Sequence, residues 1–258
     1  MGRRSTPPDW YENIQVDHLS EEEKSGILVV QNYLRAIHKR VAETIDEETS
    51  GLPFDVGGFG LKVQRLVLEE ARYAVLGAVT IADDLLVDMF RREARPEIEM
   101  PALLGPLGPM GDFNRRLKVA AIAEFIDDDC LKYFDELRKM RNRIAHSDQP
   151  SNPNRSEIER LMRVSPTWLD VIETHEELVG QKVDRGTNPA LLASVAVHLS
   201  LLAWQSILVP AAKRAGVPIS ALIERQPKVF AATSSVGMGV AMGVLGYRAK
   251  NAPASHSH

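Results

Sequence analysis

Cysteine is almost absent from this chain: Cys130 is the only one in 258 residues. That excludes an intramolecular disulfide and a cysteine-rich metal site, and it fits a reducing cytoplasm. No run of residues alternates apolar and polar in the manner of a half-buried strand, so the chain reads as all-α. A large excess of one charge is also missing. The formal charge of −4 and the pI near 6.0 argue against a protein that coats DNA indiscriminately, so a nucleic-acid contact must come from a local basic patch. Arg3 and Arg4 are not followed by an apolar stretch, so no secretory signal is visible. The closing Ser255-His256-Ser257-His258 is too short and too terminal for a metal site and reads as a disordered tail. No cofactor is expected.

What is present is helical periodicity in a composition ordinary for a soluble globular protein, 44% hydrophobic and 26% charged. A first helix is predicted from Ser20, where Glu23 completes a capping box and Val30, Leu34, Ile37, Val41 and Ile45 form the apolar stripe. It stands in an N-terminal extension, residues 1–50. Gly57-Gly58-Phe59-Gly60 lacks the Gly-Lys-Ser/Thr ending of a phosphate-binding loop and reads as a hinge. A long helix is expected from about Leu61 to Arg92, then a proline-bearing stretch from Pro96 to Met110. Asp112 follows as N-cap of a helix that turns Phe113, Leu117, Ala120, Ala121 and Phe125 inward and leaves Arg115, Arg116 and Lys118 at its surface. Asp127-Asp128-Asp129 starts another helix, and three carboxylates at the positive end of a helix dipole need no metal. Shorter helices are predicted near Ser156–Met162 and Thr167–Leu178.

Asn188-Pro189 marks a further start, an N-cap followed by proline at the first helical position. From there to Ala212 no residue is formally charged, a length sufficient for a membrane span. His198, Gln205 and three serines interrupt the run, and a hairpin with the glycine-rich Val229–Tyr247 would place Lys213, Arg214, Arg225 and Lys228 against the positive-inside tendency. A buried core helix is the favoured reading, with no stable membrane insertion. For Val229–Tyr247 a docked helix, an oligomer contact and a membrane-touching element all stay open. The main helical domain is assigned to residues 61–215, and 216–258 to a partly disordered C-terminal extension.

The stretch with chemical potential is Arg141-Asn142-Arg143-Ile144-Ala145-His146, which closes the helix begun at Asp128. On a helical wheel Cys130, Phe134, Leu137, Arg141 and Ile144 share the apolar stripe, so Arg141 must be paired or must look into a cleft. His146 points well over 100° away from it on a continuous helix. Either the helix unwinds around Ala145, or the two groups cooperate across a subunit interface in a symmetric dimer. A histidine and an arginine suit metal-free phosphodiester cleavage. The imidazole takes the proton from a ribose 2′-hydroxyl or gives one to the leaving oxygen, and the guanidinium stabilises charge on the phosphate. Asn142 would orient the phosphate or the imidazole, while Arg138, Lys139 and Arg143 would hold an RNA backbone. The structural alternative has Arg141 pair with a carboxylate such as Asp83 or Asp84, and His146 cap the helix C-terminus.

The stretch Leu137–Ser147 resembles the motif of the HEPN superfamily, an Arg-Asn pair followed after a short gap by His. More closely, Gly105-Pro106-Leu107-Gly108, then Phe113-Asn114-Arg115-Arg116-Leu117-Lys118, then Arg-Asn-x-x-Ala-His resemble the mannitol operon repressor family. The likeness runs from about Leu61 to Val209. It implies an all-α, dimeric fold without a helix-turn-helix. HEPN proteins are often metal-independent ribonucleases of toxin–antitoxin and antiviral systems, with this Arg and His as the active pair. The repressor-like relatives are regulators that act through protein partners. Arg143 stands where the repressor-like motif leads one to expect an acidic residue, which makes the site more cationic. The expectation is therefore a cytoplasmic, dimeric HEPN-like protein acting on RNA through Arg141, His146 and Asn142, or else a non-catalytic regulator with a protein partner or antitoxin.

Overall fold

The computed structural model describes residues 55–147, 151–179, 182–225 and 227–251. The helix expected from Ser20 and the histidine-bearing tail lie outside the described residues. Among the described residues there are helices and loops and no strand, an all-α fold. The helices are α1 (Val56–Leu68), α2 (Ala71–Glu93), α3 (Met100–Leu104), α4 (Phe113–Ile122), α5 (Asp128–His146), α6 (Arg155–Arg163), α7 (Pro166–Val179), α8 (Asn188–Ala215), α9 (Ile219–Arg225) and α10 (Pro227–Asn251). The chain divides into two units between Lys62 and Val63.

Within the first unit, the glycine run expected to be a hinge is helical instead. The Asp55 carboxylate accepts the Gly58 amide at 2.7 Å, which satisfies an orphan donor at the start of α1 and offsets the low helix propensity of glycine.

In the second unit a helix expected to be continuous is broken. A single helix from Leu61 to Arg92 was expected, yet α1 ends at Leu68 and α2 begins at Ala71. Near the new start the Arg72 amide donates to Asn152 Oδ1 at 3.2 Å. That acceptor lies 80 residues away in sequence, so no local signal could mark the break. Beyond it, α2 buries Ala74, Ala78 and Ala82, spaced one turn apart, and these small side chains let neighbouring helices approach closely.

Helix α8 is the centre of this unit, packing against α2, α5, α6, α7, α9 and α10. It is long and apolar enough to cross a membrane, but its most apolar stretch is 78% buried within the fold, as the core-helix reading expected. Its N-cap is Thr187, whose hydroxyl accepts the Ala190 amide, one residue earlier than the expected Asn188. The described part of the C-terminal extension is also helical. Helix α10 lies along α8, so close that a Cβ at Gly237 would stand 2.7 Å from the Ser200 Cβ.

Asp112 caps α4 as expected, accepting the Arg115 amide at 2.9 Å. Arg116, expected at the surface, is buried instead. Its guanidinium grips Asp83 of α2 through Nε and Nη2 at 2.6 and 2.7 Å and donates through Nη1 to the Met110 carbonyl at 2.6 Å. One side chain thereby joins α4, α2 and the loop before α4. The fork also assigns Asp83 a partner other than Arg141. Arg116→Ala is expected to cost about 3 kcal/mol in urea unfolding, because Asp83 loses both donors. The exposed Arg115→Ala should stay within about 0.5 kcal/mol.

Candidate functional site

The site is built from the first turn of α5 outward. The Asp127 carboxylate caps the helix by accepting the Cys130 amide at 2.8 Å, and it accepts from Gln205 Nε2 of α8 at 2.6 Å. The Asp127 amide donates back to Gln205 Oε1 at 3.1 Å. Two residues on, Asp129 accepts the Thr167 amide of α7 at 2.9 Å. Next, Tyr133 meets Ser194 Oγ at 2.9 Å and its ring lies flat against His198, with centroids 3.4 Å apart. Residues 127, 129 and 133 thus face 205, 198 and 194, an antiparallel register for α5 and α8 set by polar contacts.

His198 is fully buried. Its Nδ1 donates to the Ser194 carbonyl at 2.7 Å, and its Nε2 meets Ser165 Oγ at 2.6 Å, with Asp129 Oδ1 at 3.7 Å. A serine, a histidine and an aspartate in contact suggest hydrolytic chemistry, but the arrangement is wrong for it. Serine and carboxylate share one ring nitrogen instead of taking opposite ones, and Ser165 is sealed from solvent. The cluster is an interhelical polar lock. Burial pushes the Asp129 carboxyl up, but the facing His198, Thr167 and Ser165 more than offset this and hold it well below the usual carboxylate range. A carboxyl depressed in the folded state contributes stability that is complete above its unfolded value, about pH 4, and lost as pH falls below it. Acid unfolding of Asp129→Asn, followed by circular dichroism, should therefore show a shallower loss of stability below about pH 4 than the parent protein.

Along the apolar face of α5, Cys130, Phe134, Leu137 and Ile144 are buried as their spacing predicted. Arg141 is not. The buried row passes through Met140, and Arg141 sits half-exposed at its rim. Its Nη1 donates to Asn142 Oδ1 at 3.1 Å, and it makes no ion pair among the described residues. Neither Asp83 nor Asp84 pairs with it.

The other predicted cations are neutralised. Arg138 Nη2 pairs with Asp135 at 2.7 Å, and Lys139 reaches Asp135 at 2.9 Å as well as Glu136. Arg143, expected to add free positive charge, instead donates through Nη2 to Glu157 Oε2 at 2.9 Å. Glu157 is buried and also accepts the Asn154 amide at 2.9 Å, closing the capping box of α6. Arg143 therefore ties the end of α5 to the start of α6.

Helix α5 runs unbroken through His146, so it does not unwind at Ala145. Arg141 and His146 of one chain stand about 140° apart around the helix axis and are not brought together. Asn142 lies between them, bonded to Arg141 and one helical turn before the exposed His146.

Sequence reasoning missed Arg116–Asp83, Asp127–Gln205 and Asp129–His198. The signal was available for two of these: His198 and Gln205 are polar residues seven apart in a charge-free helix, hence on one face, and buried polar groups require partners. No protein-family model, curated protein or solved structure matches the chain.

Because no carboxylate is stranded by its removal, Arg141→Ala should change the unfolding free energy by less than about 1 kcal/mol. A loss of several kcal/mol in chemical denaturation would restore the structural-latch role.

Proposed function

We propose that this protein is a metal-independent endoribonuclease acting through Arg141 and His146, with Asn142 holding the arginine. The observation that carries this reading is Arg141 itself: a half-exposed guanidinium, oriented by Asn142 and unpaired among the described residues, beside Arg138, Lys139 and Arg143, which are all matched by carboxylates. An arginine without a carboxylate is a ready acceptor site for a phosphate. Exposed His146 supplies the proton transfer that opening a phosphodiester through its 2′-hydroxyl requires. The reading agrees with the resemblance of Leu137–Ser147 to the HEPN motif.

Since the unbroken α5 separates the two side chains, the reactive pair forms between subunits, Arg141 from one protomer and His146 from the other. The imidazole takes the 2′-hydroxyl proton, the freed oxygen attacks phosphorus as the bond to the 5′-oxygen breaks, and the imidazolium returns its proton to the departing 5′-oxygen, leaving a 2′,3′-cyclic phosphate and a 5′-hydroxyl. The guanidinium meets the charge that grows on the non-bridging oxygens.

A second reading, a non-catalytic regulator of the mannitol-repressor type working through protein partners, is favoured by one observation. The Arg143–Glu157 pair makes the motif a structural corner between α5 and α6.

The test is cleavage of labelled total RNA in EDTA. Parent protein should cleave, and Arg141→Ala and His146→Ala should each lose activity by more than about a hundredfold while staying folded. Mixing the two inactive variants should restore up to about a quarter of parental activity, because half of the dimers carry one intact site of two. Absence of cleavage by folded parent protein would put the regulatory reading first.

A further inference from the structure

Tyr73 is 49% exposed in the first turn of α2, yet its ring is held in place. The Arg72 guanidinium lies over it, 4.6 Å from the ring centroid, and is itself paired with Glu70 at 3.0 Å. The backbone beneath is fixed as well, because the Arg72 amide donates to Asn152 Oδ1 at 3.2 Å. A flat aromatic ring is thus presented to solvent already ordered, and it loses little entropy when another ring lies on it.

Two sets of contacts bring this ring to the end of α5. Arg143 Nη1 donates to Ser151 Oγ at 3.3 Å, and the next residue, Asn152, is the one that meets Arg72. His146 stands one turn beyond Arg143 on the same side of α5. The second set lies at the far end of both helices. There Arg92 of α2 donates to the Ser206 carbonyl and Asp127 meets Gln205, so α2 and α5 are level with one another along α8. Nineteen residues separate Arg92 from Tyr73, and nineteen separate Asp127 from His146. At about 1.5 Å per residue each run covers roughly 28 Å. Since α2 and α5 also pack against each other, Tyr73 and His146 reach the same end of the bundle at matching height.

We propose that Tyr73 is a stacking platform for a nucleobase beside the phosphodiester that His146 acts on, and that the substrate is therefore single-stranded RNA. The proposal rests on the ribonuclease reading and adds its substrate class. An aromatic ring accepts any base by its π face, and only an unpaired base can leave its neighbours to lie there. Bases inside an A-form duplex stay stacked on one another and offer only their edges. The contact needs no charge on the protein: Glu70 is already matched by Arg72, and the phosphate is left to Arg141.

The experiment uses the full chain carrying His146→Ala, in EDTA, so that RNA is bound and not cut. The probe is a short fluorescein-labelled RNA of mixed sequence, either single-stranded or annealed to its complement. By fluorescence anisotropy the single strand should bind at least about tenfold more tightly than the duplex. Adding Tyr73→Leu should weaken single-strand binding at least about tenfold, whereas Tyr73→Phe, which keeps the π face, should leave it within about twofold. Irradiation of the complex, with 5-iodouridine replacing uridine in the RNA, should cross-link the peptide that contains Tyr73. Should Tyr73→Leu lose the parental thermal midpoint, the cross-link decides. Unchanged single-strand binding by folded Tyr73→Leu, equal binding of the duplex, or cross-links that avoid Tyr73 would each overturn the platform and leave the Arg141–His146 reading standing. No RNA binding by the parent protein would overturn both together.

Discussion

The burial of α8 is the constraint on which the rest of this fold depends. A helix enclosed by six others cannot leave a polar group unmatched without a penalty of a few kcal/mol, so each polar residue in it dictates what lies opposite. Gln205 faces Asp127, His198 faces Asp129 and Ser165, Ser194 faces Tyr133, and the Ser206 carbonyl accepts from Arg92 of α2. Hydrophobic burial holds the helices together without specifying their register. These directional contacts specify it, because sliding α5 by one turn along α8 would leave the contacts of Asp127, Asp129 and Tyr133 with α8 unmatched. Ser200 is the exception: its hydroxyl is buried without a partner among the described residues, where the close approach of Gly237 leaves little space.

Anchoring α5 at its first turn has a consequence at its last. A rigid nineteen-residue helix, α5, carries the position of Asp127 through to His146. There the Arg143–Glu157 pair and the capping box of α6 complete the corner. Arg141 makes no ion pair among the described residues; it is placed at the rim of the buried row and bonded to the neighbouring Asn142 side chain. A fixed guanidinium needing an anion is what a phosphate-handling site would require, and the rigid helix supplies the positioning.

A similar division of labour appears around Arg116. Its three hydrogen bonds fasten α4 to α2 and also order the loop that carries Leu107. A single buried charge therefore contributes to the core and to the shape of the surface. A lysine there would keep the charge and lose the fork, and with it the simultaneous hold on Asp83 and Met110.

Much of the local structure was legible in the sequence. Asp112 could be named as a cap, and Asp127-Asp128-Asp129 as a helix start, because short polar acceptors before an apolar periodic run have few other uses. The all-α class and the burial of the charge-free helix followed from periodicity and from the isolated polar residues within it. Arg141, Asn142 and His146 could be singled out, since their chemistry is intrinsic to the side chains. Partners were not legible. Arg116 and Arg141 both occupy amphipathic helices, and nothing local reveals that the first finds Asp83 while the second finds no carboxylate among the described residues. The first turn of α2 is met by Asn152, 80 residues on, and Arg143 is neutralised by Glu157, 14 residues on. Sequence determined which segments become helices, because caps and apolar spacing act over a few residues. Tertiary structure decided which charges are satisfied and which remain, because pairing depends on distances between residues far apart in the chain.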